Sequence, residues 1–198
     1  KWTKDGGILV TVSGASAWDR YNEPCRILAK ATGIEEKPRE RLLVADVRSL
    51  PESGKGTGGL GEFRAIGVRG ALVDQYRLTV DAAFDDGKPA VVHREVGKGK
   101  AVHFAWLPGL SYARSSSAVK DGLPVGWSES IRRWITWPVT ALAGVTAPVS
   151  VSVPLVETPL LVSDQGAAVT FLNWSGAPIE RLGVTVQAPF KVNSARSV

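Results

Sequence analysis

The chain contains no methionine, a single cysteine (Cys25) and two histidines (His93 and His103) among 198 residues. Initiator methionine is trimmed only ahead of small side chains, so a sequence opening on Lys1 without one reads as part of a longer polypeptide. One cysteine excludes an internal disulfide framework. Two histidines and one thiol are too few and too dispersed for a protein-built zinc site, so no metal is expected. No apolar run approaches the length of a bilayer-spanning helix, and no membrane partner is expected. A stripe of basic residues is lacking too. The net charge of +5 lies ahead of Val145, since Arg181, Lys191 and Arg196 beyond it cancel Glu157, Asp164 and Glu180. Nucleic-acid binders cluster Lys and Arg on one face with aromatics between them; here the cations are scattered, which argues against a nucleic-acid partner.

What is present is 44% hydrophobic and 22% charged, enough to build a core. Lys1 to Gly7 reads as the last turn of a helix, ended by a glycine pair. Ile8 to Val12 is a β-branched run, as in a buried parallel strand, and Ser13 to Ala17 is a small-residue loop after it. Asn22 reads as an N-cap with Glu23 and Pro24 in the first turn of a helix that Gly33 ends. Strand, loop and helix in that order predict a doubly wound α/β domain of flavodoxin or amidotransferase type, in three layers, over residues 1–147. Leu42 to Val47 and Tyr76 to Val80 are further strands, and the glycine-rich stretch Ser53 to Gly61 between them reads as a mobile loop. Pro89 to Val96 and Lys100 to Trp106 predict a hairpin turning at Lys98-Gly99. Ser128 caps a helix carrying Ile131, Trp134, Ile135 and Leu142, which Pro138 should kink. From Pro148 onward the chain is rich in Val, Thr and Pro, with strands near Val149–Val153, Ala168–Asn173 and Leu182–Gln187. Residues 148–198 read as the truncated start of a β-sandwich-like domain.

Two segments carry a family resemblance. Asp5-Gly6-Gly7-Ile8-Leu9-Val10, followed by Trp18-Asp19-Arg20-Tyr21-Asn22-Glu23-Pro24 and Leu28-Ala29-Lys30-Ala31-Thr32-Gly33-Ile34-Glu35, resembles the middle of the β-galactosidase trimerisation domain. Asp85-Asp86-Gly87-Lys88-Pro89-Ala90-Val91-Val92, then Gly97-Lys98-Gly99-Lys100-Ala101-Val102-His103-Phe104, resembles the strands that close it. That domain belongs to the class I glutamine-amidotransferase-like folds, and the likeness covers roughly Lys1 to Tyr112. The resemblance implies a module that assembles an oligomer, with the catalytic barrel and its carboxylate pair upstream. Glu157-Thr158-Pro159-Leu160-Leu161 with Asn173-Trp174-Ser175 is similar to small β-domains appended to such enzymes.

The reactive residues do not assemble into a catalytic motif. Active amidotransferases need a cysteine on a sharp strand-to-helix turn; Cys25 reads instead as a small hydrophobe inside a helix. Gly14-Ala15-Ser16-Ala17-Trp18 follows a strand as a hydrolase elbow would, but Trp18 replaces the final glycine and the helix starts late. The hairpin register puts His93 and His103 on opposite sheet faces, so they cannot share an ion. Gly54-Lys55-Gly56-Thr57-Gly58-Gly59 matches a dinucleotide pattern but opens no helix, and no cofactor is expected. Open α/β sheets bind ligands beyond the C-terminal ends of their strands, which singles out Asp19, Tyr21, Asn22 and Glu23. Trp106 and Tyr112 are candidates to line the same edge.

The expectation is therefore a non-catalytic structural module of a multidomain carbohydrate-active protein. Its partners would be other domains of the same protein, a further copy in a homo-oligomer, and a carbohydrate. Trp127, Trp134, Trp137 and the loop after Trp106 are the interface candidates. A carbohydrate-binding module stacking sugars on Trp106, Tyr112 and Trp174, and a hydrolase using Ser16, are the alternatives.

Overall fold

The computed structural model describes residues 1–37, 39–50, 57, 60–73 and 78–197. The chain divides into two compact units, Lys1–Ser116 with Trp127–Val145, and Ser117–Gly126 with Thr146–Val198.

The first unit is built on a six-stranded sheet. Its strands are β1 (Ile8–Val12), β2 (Glu40–Ser49), β3 (Phe63–Arg69), β4 (Thr79–Phe84), β5 (Pro89–Val96) and β6 (Gly99–Phe104), ordered β1-β6-β5-β4-β2-β3. Only β1 and β6 run parallel; the other four pairings are antiparallel. This overturns the doubly wound α/β expectation. Strand exceeds helix about two to one, at 36% against 17%, in a curled mixed sheet with a few short helices. A doubly wound sheet needs a crossover helix between successive parallel strands. Here β4, β5 and β6 follow one another through tight turns, leaving no room for such helices. The first strand, loop and helix imitate one βαβ unit, and the pattern is not repeated.

The helices are α1 (Ile27–Thr32), α2 (Pro108–Ser115) and α3 (Glu129–Trp137). Helix α1 ends as expected at Gly33, whose φ of 69° makes the left-handed cap, its N–H donating to Ala29 O at 2.7 Å. It begins later than expected. Asn22 is not an N-cap but a left-handed turn residue, at φ 63°. The Asp19 carboxylate accepts from the N–H groups of Tyr21 (2.8 Å) and Glu23 (3.0 Å), holding 18–24 as a turn closed by a bridge between Trp18 and Pro24. Helix α2 was not anticipated, although Pro108 in its first turn is a starting signal. Helix α3 starts as read, Ser128 Oγ accepting from Ile131 N–H at 3.3 Å. Pro138 interrupts it, converting the next turn to a π-helical one, Pro138–Leu142.

The β5–β6 hairpin turns at Gly97-Lys98, one residue earlier than expected, with Val96 opposite Gly99. Two glycines explain the choice. Gly97 takes the left-handed position at φ 67°. Gly99 is needed for close approach instead, because a Cβ there would lie 2.1 Å from both Gly7 O and Thr3 O. The register moves by an even number of residues, so the histidines still face opposite ways.

Each sheet face has its own core. Val91, Val102 and Phe104 point to one, with Trp106 and, from α3, Ile131, Trp134 and Trp137. Val92 and Ala101 point to the other, with Ile34 and Leu72. Strands buried on both faces read as continuous apolar runs, as β5 and β6 do. Trp134 and Trp137 are thus core residues, 0% and 1% exposed, rather than interface aromatics.

The second unit holds three two-stranded antiparallel ladders. Strand β7 (Val149–Val151) pairs with β12 (Val184–Val186), β8 (Val156–Glu157) with β11 (Leu172–Asn173), and β9 (Leu160–Ser163) with β10 (Gly166–Val169). Asn173 ends a strand, its Oδ1 accepting from Ser175 N–H at 2.9 Å and its Nδ2 donating to Ala177 O at 2.8 Å.

The approach at Gly99 makes a definite prediction. Gly99→Ala should destabilise the first unit by about 1–3 kcal/mol, the usual cost of forcing a methyl group into packed backbone. Gly87→Ala, whose Cβ meets nothing within 4 Å but which has φ 81°, should cost less. Urea unfolding of the two variants decides it, and equal midpoints would contradict the assignment.

Candidate functional site

The parallel strand β1 delivers its chain to the edge of the sheet and releases it into a loop of unusual backbone. Gly14 has φ 82°, and Ser16 has φ 56°, a left-handed conformation uncommon for a non-glycine residue. Ser16 Oγ lies 3.3 Å from Cys25 Sγ, and Cys25 N–H donates to Ala17 O at 2.9 Å. Cys25 therefore precedes helix α1 instead of lying inside it, and it is partly exposed. The Ser16 hydroxyl, followed by the Ile27 backbone, lowers the thiol below its ordinary range.

Beside this loop, a hydrogen-bonded chain crosses three segments. Glu36 Oε2 accepts from Gly14 N–H at 2.7 Å, and its other oxygen faces His103 Nε2 at 3.3 Å. His103 Nδ1 meets Thr11 Oγ1 at 2.9 Å. The carboxylate favours a proton on Nε2, while the Thr11 hydroxyl that meets Nδ1 also donates to Val102 O at 3.2 Å. His103 and Glu36 side chains are only 7% and 14% exposed. Burial pushes the Glu36 carboxyl up, but its bonds from His103 and Gly14 outweigh this and hold it below the usual carboxylate range. This chain pins the 36 segment to the ends of β1 and β6.

A cavity of about 720 Å³ opens against these groups. Its lining includes Thr11, Ser16, Trp18, Cys25, Glu36, Lys37, Arg39, Arg41 and His103.

No family model matches this chain, and no curated protein matches it. Solved structures do. Gan42B, a GH42 β-galactosidase from G. stearothermophilus, superposes with a TM-score of 0.66 at 14% identity, covering 94% of this chain and 25% of that one. The β-galactosidase of Bacillus circulans sp. alkalophilus gives 0.63 at 12% identity, covering 93% and 28%. That of Rahnella sp. R3 gives 0.65 at 15%, covering 87% and 24%. The likeness is one of fold. This chain spans about a quarter of the length of those enzymes, and its architecture is that of a β-galactosidase-related domain.

The residues singled out from the sequence fall into three places. Asp19, Tyr21, Asn22 and Glu23 share the exposed 18–24 turn, where Arg20 lies over the Tyr21 ring at 4.7 Å. They do not line the cavity, although Trp18 and Pro24 at the base of the turn do. Trp106 is 0% exposed, packed on Phe63 and Phe104 at 4.6 and 5.9 Å between ring centres, and presents no face to a ligand. Tyr112 lies on α2, half-buried and stacked on Trp127 at 4.8 Å. The glycine pattern at 54–59 falls mostly outside the described residues.

His93 lies on the other sheet face, its Nδ1 2.7 Å from Asp81 Oδ2. Burial raises the Asp81 carboxyl against the opposing pull of His93. Sequence reasoning missed Glu36, Arg39, Arg41 and Trp18. Their signal was faint: alternate cations at 37, 39 and 41 entering a strand share one side of an extended chain.

The depressed Glu36 gives a pH-dependent prediction. A carboxyl whose folded pKa lies below its unfolded value stabilises the fold above the unfolded pKa and loses that contribution as pH falls through the folded one. Glu36→Gln should therefore cost about 1–3 kcal/mol at neutral pH, the scale of a charge-assisted bond. The gap to the parent should close in acid. Denaturant melts between pH 3 and 7 test this; a gap independent of pH would remove the ionised carboxylate from the account.

Proposed function

We propose that this chain is a structural module of a multidomain glycoside-hydrolase-like protein, a counterpart of the β-galactosidase trimerisation domain that holds subunits together. The observation that carries the reading is the superposition of nearly the whole chain on about a quarter of three GH42 β-galactosidases. Catalysis on the parent protein then belongs to sequence outside these residues. The local chemistry is consistent with that division. Both ring nitrogens of His103 are engaged by Thr11 and Glu36, and Ser16 is bonded to Cys25, so among the described residues no base addresses the serine hydroxyl.

An assembly module needs an apolar surface to present. Strand β2 slips register against β3 between Leu42 and Ala45, and this bulge leaves Leu43 and Val44 78% and 56% exposed. Adjacent exposed aliphatics on a strand are a liability that a partner subunit removes. The partner this reading names is a second copy of the protein.

Light scattering of the protein expressed from its native gene tests the proposal. An oligomer is expected, and Leu43→Asp with Val44→Asp should shift its mass toward one protomer while leaving circular dichroism unchanged. A monomeric parent protein would refute assembly; an oligomer indifferent to the double variant would refute this surface.

A further inference from the structure

The cavity beside β1 has an imbalance of charge that its neighbours do not correct. Its three carboxylates are already matched. Glu35 pairs with Arg26 at 3.1 Å, Glu40 with Arg69 at 2.9 Å, and Glu36 with His103 and the Gly14 N–H. Its hydroxyl and thiol groups are matched as well: Thr11 bonds His103, Ser16 bonds Cys25, and Thr32 donates to Leu28 O at 2.7 Å. Three lining side chains remain, Lys37, Arg39 and Arg41, and none makes an ion pair or side-chain hydrogen bond within the described residues. They stand at alternate positions in the sequence leading into β2, and all three line the cavity.

Arg39 is the best placed of them. Its guanidinium lies on Gly14, so close that a Cβ there would sit 2.3 Å from Nη1. That position holds the fork at the cavity wall next to the loop carrying Ser16. Trp18, 53% exposed, supplies an aromatic side chain to the same cavity. Uncompensated guanidinium groups are suited to bidentate recognition of a carboxylate or sulfate, and an exposed indole is suited to the apolar face of a sugar ring.

We infer that this cavity is a binding site for an anionic sugar, one bearing a carboxylate or a sulfate, with Arg39 and Arg41 on the oxyanion and Trp18 against the ring. Recognition of a sugar here rests on the carbohydrate-active reading above, while the charge of the ligand rests on the cavity alone. The volume of about 720 Å³ accommodates a short oligosaccharide.

Calorimetric titration of the 198-residue chain with oligogalacturonate, a sulfated galactan oligosaccharide, a neutral galacto-oligosaccharide and inorganic sulfate tests the inference. At least one anionic sugar should bind, more weakly as salt is raised. Arg39→Ala with Arg41→Ala should weaken it about tenfold or more, the loss expected when charge-assisted bonds are removed. Arg39→Lys with Arg41→Lys should recover part of the loss, and Trp18→Ala should weaken the sugars but not free sulfate. Equal binding of the neutral sugar, no binding of either anionic sugar, or indifference to the arginine pair would overturn the site. Inorganic sulfate binding as tightly as the oligosaccharides would overturn the sugar. The arginine variants should leave the oligomer mass alone, so failure here and failure of the assembly reading are told apart by separate measurements.

Discussion

Strand β6 is paired on both edges and covered on both faces, and the first unit is arranged around it. Its parallel pairing with β1 fixes where the N-terminal segment ends and the Ser13–Ala17 loop begins. Its antiparallel pairing with β5 fixes the hairpin, and through β5 and β4 the remainder of the sheet. Alternation along its six residues sends Val102 and Phe104 into the tryptophan-rich core, and Ala101 and His103 to the opposite face. A polar residue on that buried strand must find partners, and it finds Thr11 and Glu36. The candidate site is in this sense a by-product of satisfying one histidine.

That dependence links stability to binding. The Glu36 carboxylate joins the Gly14 loop to His103, so the wall of the cavity is positioned from the sheet interior and not by the mobile ends of surface side chains. Lys37, Arg39 and Arg41 follow closely in sequence from this anchored residue, and all three line the cavity. The loop carrying Ser16 is held by its own bonds, from Ser16 to Cys25 and from Cys25 back to Ala17. A preorganised wall lowers the ordering cost of binding.

Much of the local structure was legible in the sequence, because it depends on neighbours along the chain. The Gly33 cap, the Ser128 cap, the interruption at Pro138 and the β5–β6 hairpin are all short-range signals. The sheet topology was not legible, since the β-branched run at Ile8–Val12 reads the same in a parallel sheet of any size. One strand-loop-helix segment suggested a doubly wound domain, while the hairpins that follow it make the sheet mainly antiparallel. Asn22 was misread because turn and N-cap favour the same residue types. Trp106 was misplaced because an indole at a strand end looks alike whether it faces solvent or Phe63. The cavity cations escaped notice for a different reason: what sets them apart is that they have no counter-ion among the described residues, and only the folded chain shows which acids are already taken.

Asp81 and Glu36 occupy opposite faces of the same sheet and respond to protons in opposite senses. Burial, with one carboxylate oxygen left unbonded, makes folded Asp81 hold its proton more tightly than the unfolded chain does. Its contribution is greatest in acid and fades as pH rises through the folded pKa, whereas that of Glu36 fades as pH falls. Folding in mildly acidic solution thus captures a proton at one carboxyl while expelling one from the other. The two carboxyls therefore make opposing contributions to the pH dependence of stability within one unit.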